Sequence, residues 1–207
     1  MRFQGKEYRI VDLSRELTPG AEERRLEIRR GVIASDDTFM HEVDMMSHLG
    51  THVEAPSHYQ LDWPDIAQIP LESFIGRAVI LDVSSPVLTA EVLKQADRGR
   101  TSEGDMVILR NHLAPEKAAL TVDAGHWLVE KEVVLLGFDT SVSTGKDKQV
   151  NRDFHDVVMG KGICLLEVLA NLDALTQTEV FFVCAPLRIK GLDSSPVRAF
   201  ALEEVQG

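Results

Sequence analysis

Ala78-Val79-Ile80-Leu81-Asp82-Val83 is a run of aliphatic, largely β-branched side chains with one acid in it, and it lacks the polar–apolar alternation of a half-solvated strand. A run of this kind reads as a strand buried on both faces, which is what a sheet covered by helices requires. Asp105-Met106-Val107-Ile108-Leu109-Arg110, Val133-Val134-Leu135-Leu136-Gly137-Phe138 and Val180-Phe181-Phe182-Val183-Cys184 read the same way. Between these runs lie helical segments. Thr89 precedes the helix formers Ala90 to Ala96 as an N-cap, and Thr121 opens a segment through Glu130 with apolar Val122, Ala124 and Leu128. Strands alternating with helices predict an α/β domain with a substantially parallel sheet. Upstream, Tyr8 to Leu13 alternates like a strand that ends at Ser14.

The composition agrees with a globular chain: 207 residues, 44% hydrophobic and 27% charged. No repeat or Pro/Gly/Ser-rich linker divides the sequence, so residues 1–207 are expected to form one domain. With 22 Lys+Arg against 33 Asp+Glu, the net charge of −11 argues against nucleic acid or an anionic membrane as partner and favours a small molecule. The charge-dense stretch from Arg15 to Arg30, which contains the turn signal Pro19-Gly20, reads as solvated surface. Cys164 and Cys184 each lie in an apolar run and are expected in the core rather than in a disulfide. The opening residues Met1 to Glu7 lack the apolar stretch of a signal peptide, and no segment reaches a membrane span, so a cytoplasmic protein is expected.

Chemistry concentrates in Ser47-His48-Leu49-Gly50-Thr51-His52-Val53-Glu54-Ala55-Pro56-Ser57-His58, which holds three of the seven histidines. Gly50 and Pro56 argue against a helix, and in extended chain residues 48, 50, 52 and 54 share one face. Four residues of straight strand span about 13 Å, too far for two imidazoles to meet one ion at about 2.1 Å. The chain must therefore bend, and Gly50 is the residue best able to bend it. Pro56 then ends the strand and presents His58 from the following turn. His48, His52 and Glu54 form a candidate metal site on this basis.

A second cluster lies downstream. Residues 152–159, including His155, read as a short helix stopped by Gly160 and Gly162. Glu167 stands in the otherwise apolar run Ile163 to Leu169, where an unpaired carboxylate would cost several kcal/mol. It needs a metal, a histidine or an arginine as partner, or a helix N-terminus to cap. His41, His112 and His126 lack partners at ligand spacing and read as exposed or structural.

Together these clusters resemble the metal-dependent cyclase family of hydrolases, whose members include arylformamidases. The family motif H-x-G-T-H-x-D-x-P-x-H matches residues 48–58 at every fixed position except Glu54, and its distal His and Glu match His155 and Glu167. Weaker echoes are Val11-Asp12-Leu13-Ser14 with Leu17-Thr18-Pro19-Gly20, and Pro186 to Ile189 with Ser195-Pro196-Val197-Arg198-Ala199. The resemblance implies an α/β domain layered β/β/α, with a mostly parallel central sheet and an antiparallel one. It implies metal ligands His48, His52, Glu54, His155 and Glu167, with His58 as general acid/base. The cofactor would be one or two divalent ions, zinc ahead of manganese, and the assembly a homodimer or larger homo-oligomer.

The implied reaction is hydrolysis of the C–N bond of a small formamide, lactam or imide-like substrate. A lyase, dehydratase or esterase on the same scaffold and a non-catalytic metal-binding protein are the alternatives, because ligands set the Lewis acid while the pocket chooses the substrate. Two departures from the family pattern matter. Glu54 is one methylene longer than the family's Asp, which displaces its carboxylate by about 1.5 Å and predicts single-ion occupancy. The early segment Ala21 to Leu26 also lacks an aromatic shelf, leaving Phe39, Met45, Met46 and Trp63 as candidate apolar walls.

Overall fold

The computed structural model describes residues 1–113 and 116–205. In chain order its strands are β1 (Arg2–Phe3), β2 (Lys6–Asp12), β3 (Leu26–Val32), β4 (Phe39–Met45), β5 (His52–Glu54), β6 (Ile75–Val83), β7 (Val87–Leu88), β8 (Met106–Asn111), β9 (Ala118–Leu120), β10 (Leu135–Asp139), β11 (Val142–Ser143), β12 (Cys164–Leu169), β13 (Glu179–Val183), β14 (Ser194–Pro196) and β15 (Phe200–Glu204). The α-helices are α1 (Ala90–Asp97), α2 (Val122–Glu130) and α3 (Lys148–Met159). Among the described residues, no helix is long and apolar enough to cross a membrane.

Ten strands form one sheet in the order β1-β2-β15-β13-β6-β8-β10-β12-β5-β14. Its centre is parallel: β6, β8, β10 and β12 pair side by side, joined by crossovers that carry α1, α2 and α3 in turn. Strands on both flanks are antiparallel, so the expected layered α/β fold holds with the antiparallel strands continuing the parallel ones in one mixed sheet. The sheet curls until the end of β2 meets the end of β12. There Ser14 bridges Leu169, and the Ala170 amide donates to Leu13 O.

The apolar runs form β6, β8 and β10 because both faces are covered. Val79, Leu81, Val107, Leu109, Leu136 and Leu165 pack under Leu93, Trp127, Leu128 and Phe154 of the helices. Alternate residues Ala78, Ile80, Met106, Ile108, Leu135 and Leu166 face the concave side with Val11, Leu13, Val53 and Phe182. Cys164 and Cys184 lie in this second layer, as expected, and burial pushes both thiols up, Cys164 to about 12. β13 departs from the sequence reading: it alternates, and Phe181 is 47% exposed because no layer covers its outer face.

Side-chain caps start α1 and α3, whereas Thr121 before α2 donates its hydroxyl to Leu88 O and caps nothing. Thr89 Oγ1 accepts from the Val92 amide at 3.3 Å to start α1. α3 begins four residues before the expected start, because Asp147 Oδ1 accepts from the Gln149 and Val150 amides at 3.0 Å each. The charged stretch Arg15 to Arg30 is exposed, as expected, but it also contains β3. Paired with β4, it forms a two-stranded arm that, among the described residues, is hydrogen-bonded to no other strand.

Candidate metal centre

The site lies on the helix-bearing face of the sheet, where β5 is held between β12 and β14. Because Val53 points to the opposite, concave layer, His52 and Glu54 point towards α3. The bend required at Gly50 is present: its φ is +61°, and a Cβ there would meet Leu17 Cδ2 at 2.5 Å. Left-handed backbone and the close approach of Leu17 both demand glycine. The bend folds His48 back over the strand, so that His48 Nδ1 lies 2.7 Å and His52 Nε2 3.4 Å from Glu54 Oε1. Pro56–His58 then forms a single 3-10 turn, which carries His58 to the partly exposed side with Nε2 3.9 Å from Glu54 Oε2.

The distal cluster reaches the same carboxylate. His155, on the buried face of α3, places Nε2 4.0 Å from Glu54 Oε2. Glu167 lies opposite His52 in the β12–β5 register, its Oε2 3.9 Å from His52 Nε2. Of the partners the sequence left open for Glu167, histidine is the one found. β12 bulges just beyond it, since Leu166 pairs with Gly137 but Leu169 with Asp139. The extra residue, Val168, has φ +59°, a strained value for a β-branched side chain. Thr51 Oγ1 donates to its carbonyl at 2.7 Å and accepts the Arg15 amide at 2.9 Å, tying three chain segments together.

All six site residues predicted from the sequence thus converge. His41 and His126 are exposed, and His112 bonds Asp82 at 2.7 Å, away from the cluster. Two imidazoles have their tautomers set by backbone: His52 Nδ1–H donates to Gly50 O and His155 Nδ1–H to Asn151 O, each at 2.7 Å. Each therefore turns an Nε2 lone pair towards Glu54. His52 Nε2 and Glu54 Oε2 are buried and lack a hydrogen-bond partner among the described residues. Orphaned buried acceptors cost about 1–3 kcal/mol each unless something electropositive meets them. Donor atoms of His48, His52 and Glu54, and of Glu54, His58 and His155, lie within 4.8 Å of one another in each set. The two oxygens of Glu54 thus belong to two donor sets, and the residues present fit a divalent cation.

Asp193 escaped the sequence reading. Its Oδ2 lies 2.7 Å from His48 Nε2 and 3.1 Å from His58 Nδ1. It is an isolated acid in Gly191-Leu192-Asp193-Ser194, and only the β14–β5 register, with Ser194 opposite Glu54, brings it to the histidines.

The carboxylates divide by surroundings. Burial alone would raise Glu54, but contact with His48 and the nearby His52 and His58 imidazoles hold it far below the usual carboxylate range. Glu167 is pushed up to about 7 by burial and then by the charge of Glu54. Asp193, whose burial is outweighed by the bonds from His48 and His58, falls to about 2. His48 is raised, because its two carboxylate bonds overcome burial, whereas burial lowers His155. Tyr59 stacks along His155 with ring centres 6.4 Å apart and also meets Trp63 at 5.7 Å, giving the cluster an aromatic flank.

A curled α/β sheet whose rim gathers imidazoles around a shared carboxylate defines the class of metal-dependent hydrolases. Residues 11–143 match the sequence profile of the family described as "Putative cyclase", and the chain belongs to that family. It is 31% identical over 170 residues to a kynurenine formamidase of Bordetella petrii, covering 78% of this chain and 79% of that protein. A kynurenine formamidase of Paracidovorax citrulli is 30% identical over 165 residues, with coverages of 75% and 76%. Among solved structures, isatin hydrolase A from Labrenzia aggregata bound to benzyl benzoate superposes with a TM-score of 0.79 at 27% identity, covering 94% of this chain and 93% of that one.

Proposed function

We propose that the chain is a metal-dependent hydrolase that cleaves the C–N bond of a small aryl formamide, lactam or imide-like amide. The observation that carries this reading is Glu54, a buried carboxylate with each oxygen facing imidazole nitrogens and a further, partly exposed imidazole, His58, beside it. Relatives named kynurenine formamidase and isatin hydrolase support the amide substrate.

His48, His52 and Glu54 would hold one divalent ion, with His155 and Glu167 supplying ligands to the same or a second ion. Zinc suits this nitrogen and oxygen donor set. Because both oxygens of Glu54 face donors, we favour two ions over the single ion that the longer side chain predicts. When bound, a divalent cation there supplies Lewis acidity, which polarises a carbonyl and makes water acidic enough to attack near neutral pH. His58 performs the proton transfer: its Nε2 accepts the proton of the attacking water and returns it to the departing nitrogen as the C–N bond breaks. A formamide yields formic acid and an amine, a lactam opens to an amino acid, and a cyclic imide opens to a carboxylic acid that keeps one amide. Tyr59 and Trp63 give an aryl substrate a face to stack on, which the early segment does not supply. Phe39 stands at the far end of the arm, six residues of extended strand or about 20 Å from Met45.

The expected homodimer remains part of this reading. A lone hairpin is marginal in water, and the arm exposes Ile28, Val32, Phe39 and Val43. Light scattering should give twice the chain mass, reduced to the monomer by Phe39→Ser together with Val43→Ser.

The decisive experiment is metal removal. Stripping with a chelator should abolish turnover of an aryl formamide and a lactam, and zinc should restore it. Undiminished activity in metal-free protein would overturn the reading, and turnover of esters alone would move it to an esterase.

A further inference from the structure

Asp193 has no part in the mechanism above, yet it touches both kinds of group the mechanism needs. Its Oδ2 contacts His48 Nε2 and His58 Nδ1, while Ser47 Oγ donates to Oδ1 at 3.2 Å. The backbone around it is fixed, because the Ala55 amide donates to Asp193 O at 2.8 Å.

We propose that Asp193 is a positioning residue that sets the ring orientation and tautomer of His48 and His58 together. The inference rests on the hydrolase reading of this site. An ionised carboxylate only accepts hydrogen bonds, so each imidazole must present an N–H to it. For His48 the proton goes to Nε2, which leaves Nδ1, 2.7 Å from Glu54 Oε1, as the atom that would meet an ion. A ligating histidine whose other N–H is held by a carboxylate is a more basic and better oriented ligand. For His58 the proton goes to Nδ1, and the lone pair falls on Nε2, which faces Glu54 Oε2 and the interior of the cluster.

His58 needs this fixing. It sits at the end of a single 3-10 turn, 35% of its side chain is exposed, and its ring lies beside the rings of His48 and His155, centred 4.4 and 6.1 Å away. A free neutral imidazole prefers its proton on Nε2, the wrong nitrogen for a base acting through Nε2. A carboxylate behind the ring reverses that preference, as the orienting third group of a nucleophile–base–acid set does. Because one oxygen serves both rings, the orientation of the ligand and that of the acid/base are linked.

Asp193→Asn is the test, since it keeps the shape and the Ser47 contact but replaces an acceptor with an amide that also donates. With zinc loaded and an aryl formamide as substrate, kcat should fall about 100-fold while KM stays within about threefold. Zinc affinity should weaken by about 10- to 100-fold. Independently of turnover, proton–nitrogen NMR of histidine-labelled, metal-free wild type should show His58 protonated on Nδ1, and Asp193→Asn should move it towards Nε2. Wild-type His58 protonated on Nε2, or a variant with unchanged kcat and zinc affinity, would overturn the proposal. If the zinc-loaded wild type hydrolyses no amide, the hydrolase reading fails instead, and the NMR and zinc affinity still decide the role of Asp193.

Discussion

The arm of β3 and β4 and the short strand β5 come from adjoining stretches of chain, yet they are stabilised in opposite ways. The arm has two seven-residue strands in full register from Leu26↔Met45 to Val32↔Phe39, and most of its side chains are exposed. β5 has three residues, all buried, with β12 on one side and β14 on the other. Strand length and hydrogen-bond count therefore say little about rigidity here. What separates the two is apolar surface removed from water, worth roughly 25 cal/mol per Å². A site that must hold five or six side chains to within about half an ångström belongs on the second kind of strand.

Substitutions can break that contrast, and the largest effect is expected at its functional end. Glu54→Ala removes the carboxylate both donor sets share, and kcat/KM for an aryl formamide should fall on the order of 10³-fold or more. The arm variant Glu42→Ala, which loses only an exposed pair with Arg29 at 3.4 Å, should leave the rate unchanged. Stability should follow the same division. Val53→Ala, in the concave core, should cost about 2–3 kcal/mol in urea unfolding. Glu27→Ala, on an arm residue whose side chain is 56% exposed, should stay within about 0.5 kcal/mol.

The smallest effect concerns charge and sharpens the rule that burial decides. Glu203 on β15 is buried, which alone would raise its pKa. The Arg9 guanidinium and the amides of Gln177 and Thr176, at 2.8 and 2.6 Å, more than offset this and hold it below the usual range. A carboxylate with a depressed folded-state pKa contributes stability that is present above its unfolded pKa of about 4.3 and lost as pH falls through the folded value. Glu203→Gln should therefore cost about 1–2 kcal/mol at pH 7 and flatten the acid side of the stability profile. Glu42→Gln on the arm should alter neither by more than about 0.5 kcal/mol.

What could be read from the sequence followed locality. β6, β8 and β10 announced themselves because burial on both faces leaves a continuous apolar run, and α1 because Thr89 is an N-cap. The arm did not, since its alternating Arg and Glu look the same on a solvated coil as on a hairpin whose cross-strand side-chain pairs, such as Arg29 with Glu42, are exposed. Neither did the curl of the sheet, which depends on β2 finding β15 at the far end of the chain. The site divides likewise. His48, His52, Glu54 and His58 lie within one short motif, and Glu167 betrayed itself as an acid in an apolar strand. Asp193 carries no local signal, because its meaning exists only once β14 pairs with β5.

Thr51 sits inside the motif between Gly50 and His52, and its hydroxyl joins the Arg15 amide to the Val168 carbonyl. It binds no proposed ion and moves no proton. A valine there would match its shape and leave every ligand in place, yet it would unfasten the N-terminal segment and the strained turn after Glu167 at one stroke. A search that scores only ligands would pass such a chain as intact. The threonine of this motif is thus a spelling rule for assembly, and it marks the point where the segments carrying Arg15, His52 and Glu167 are stitched together.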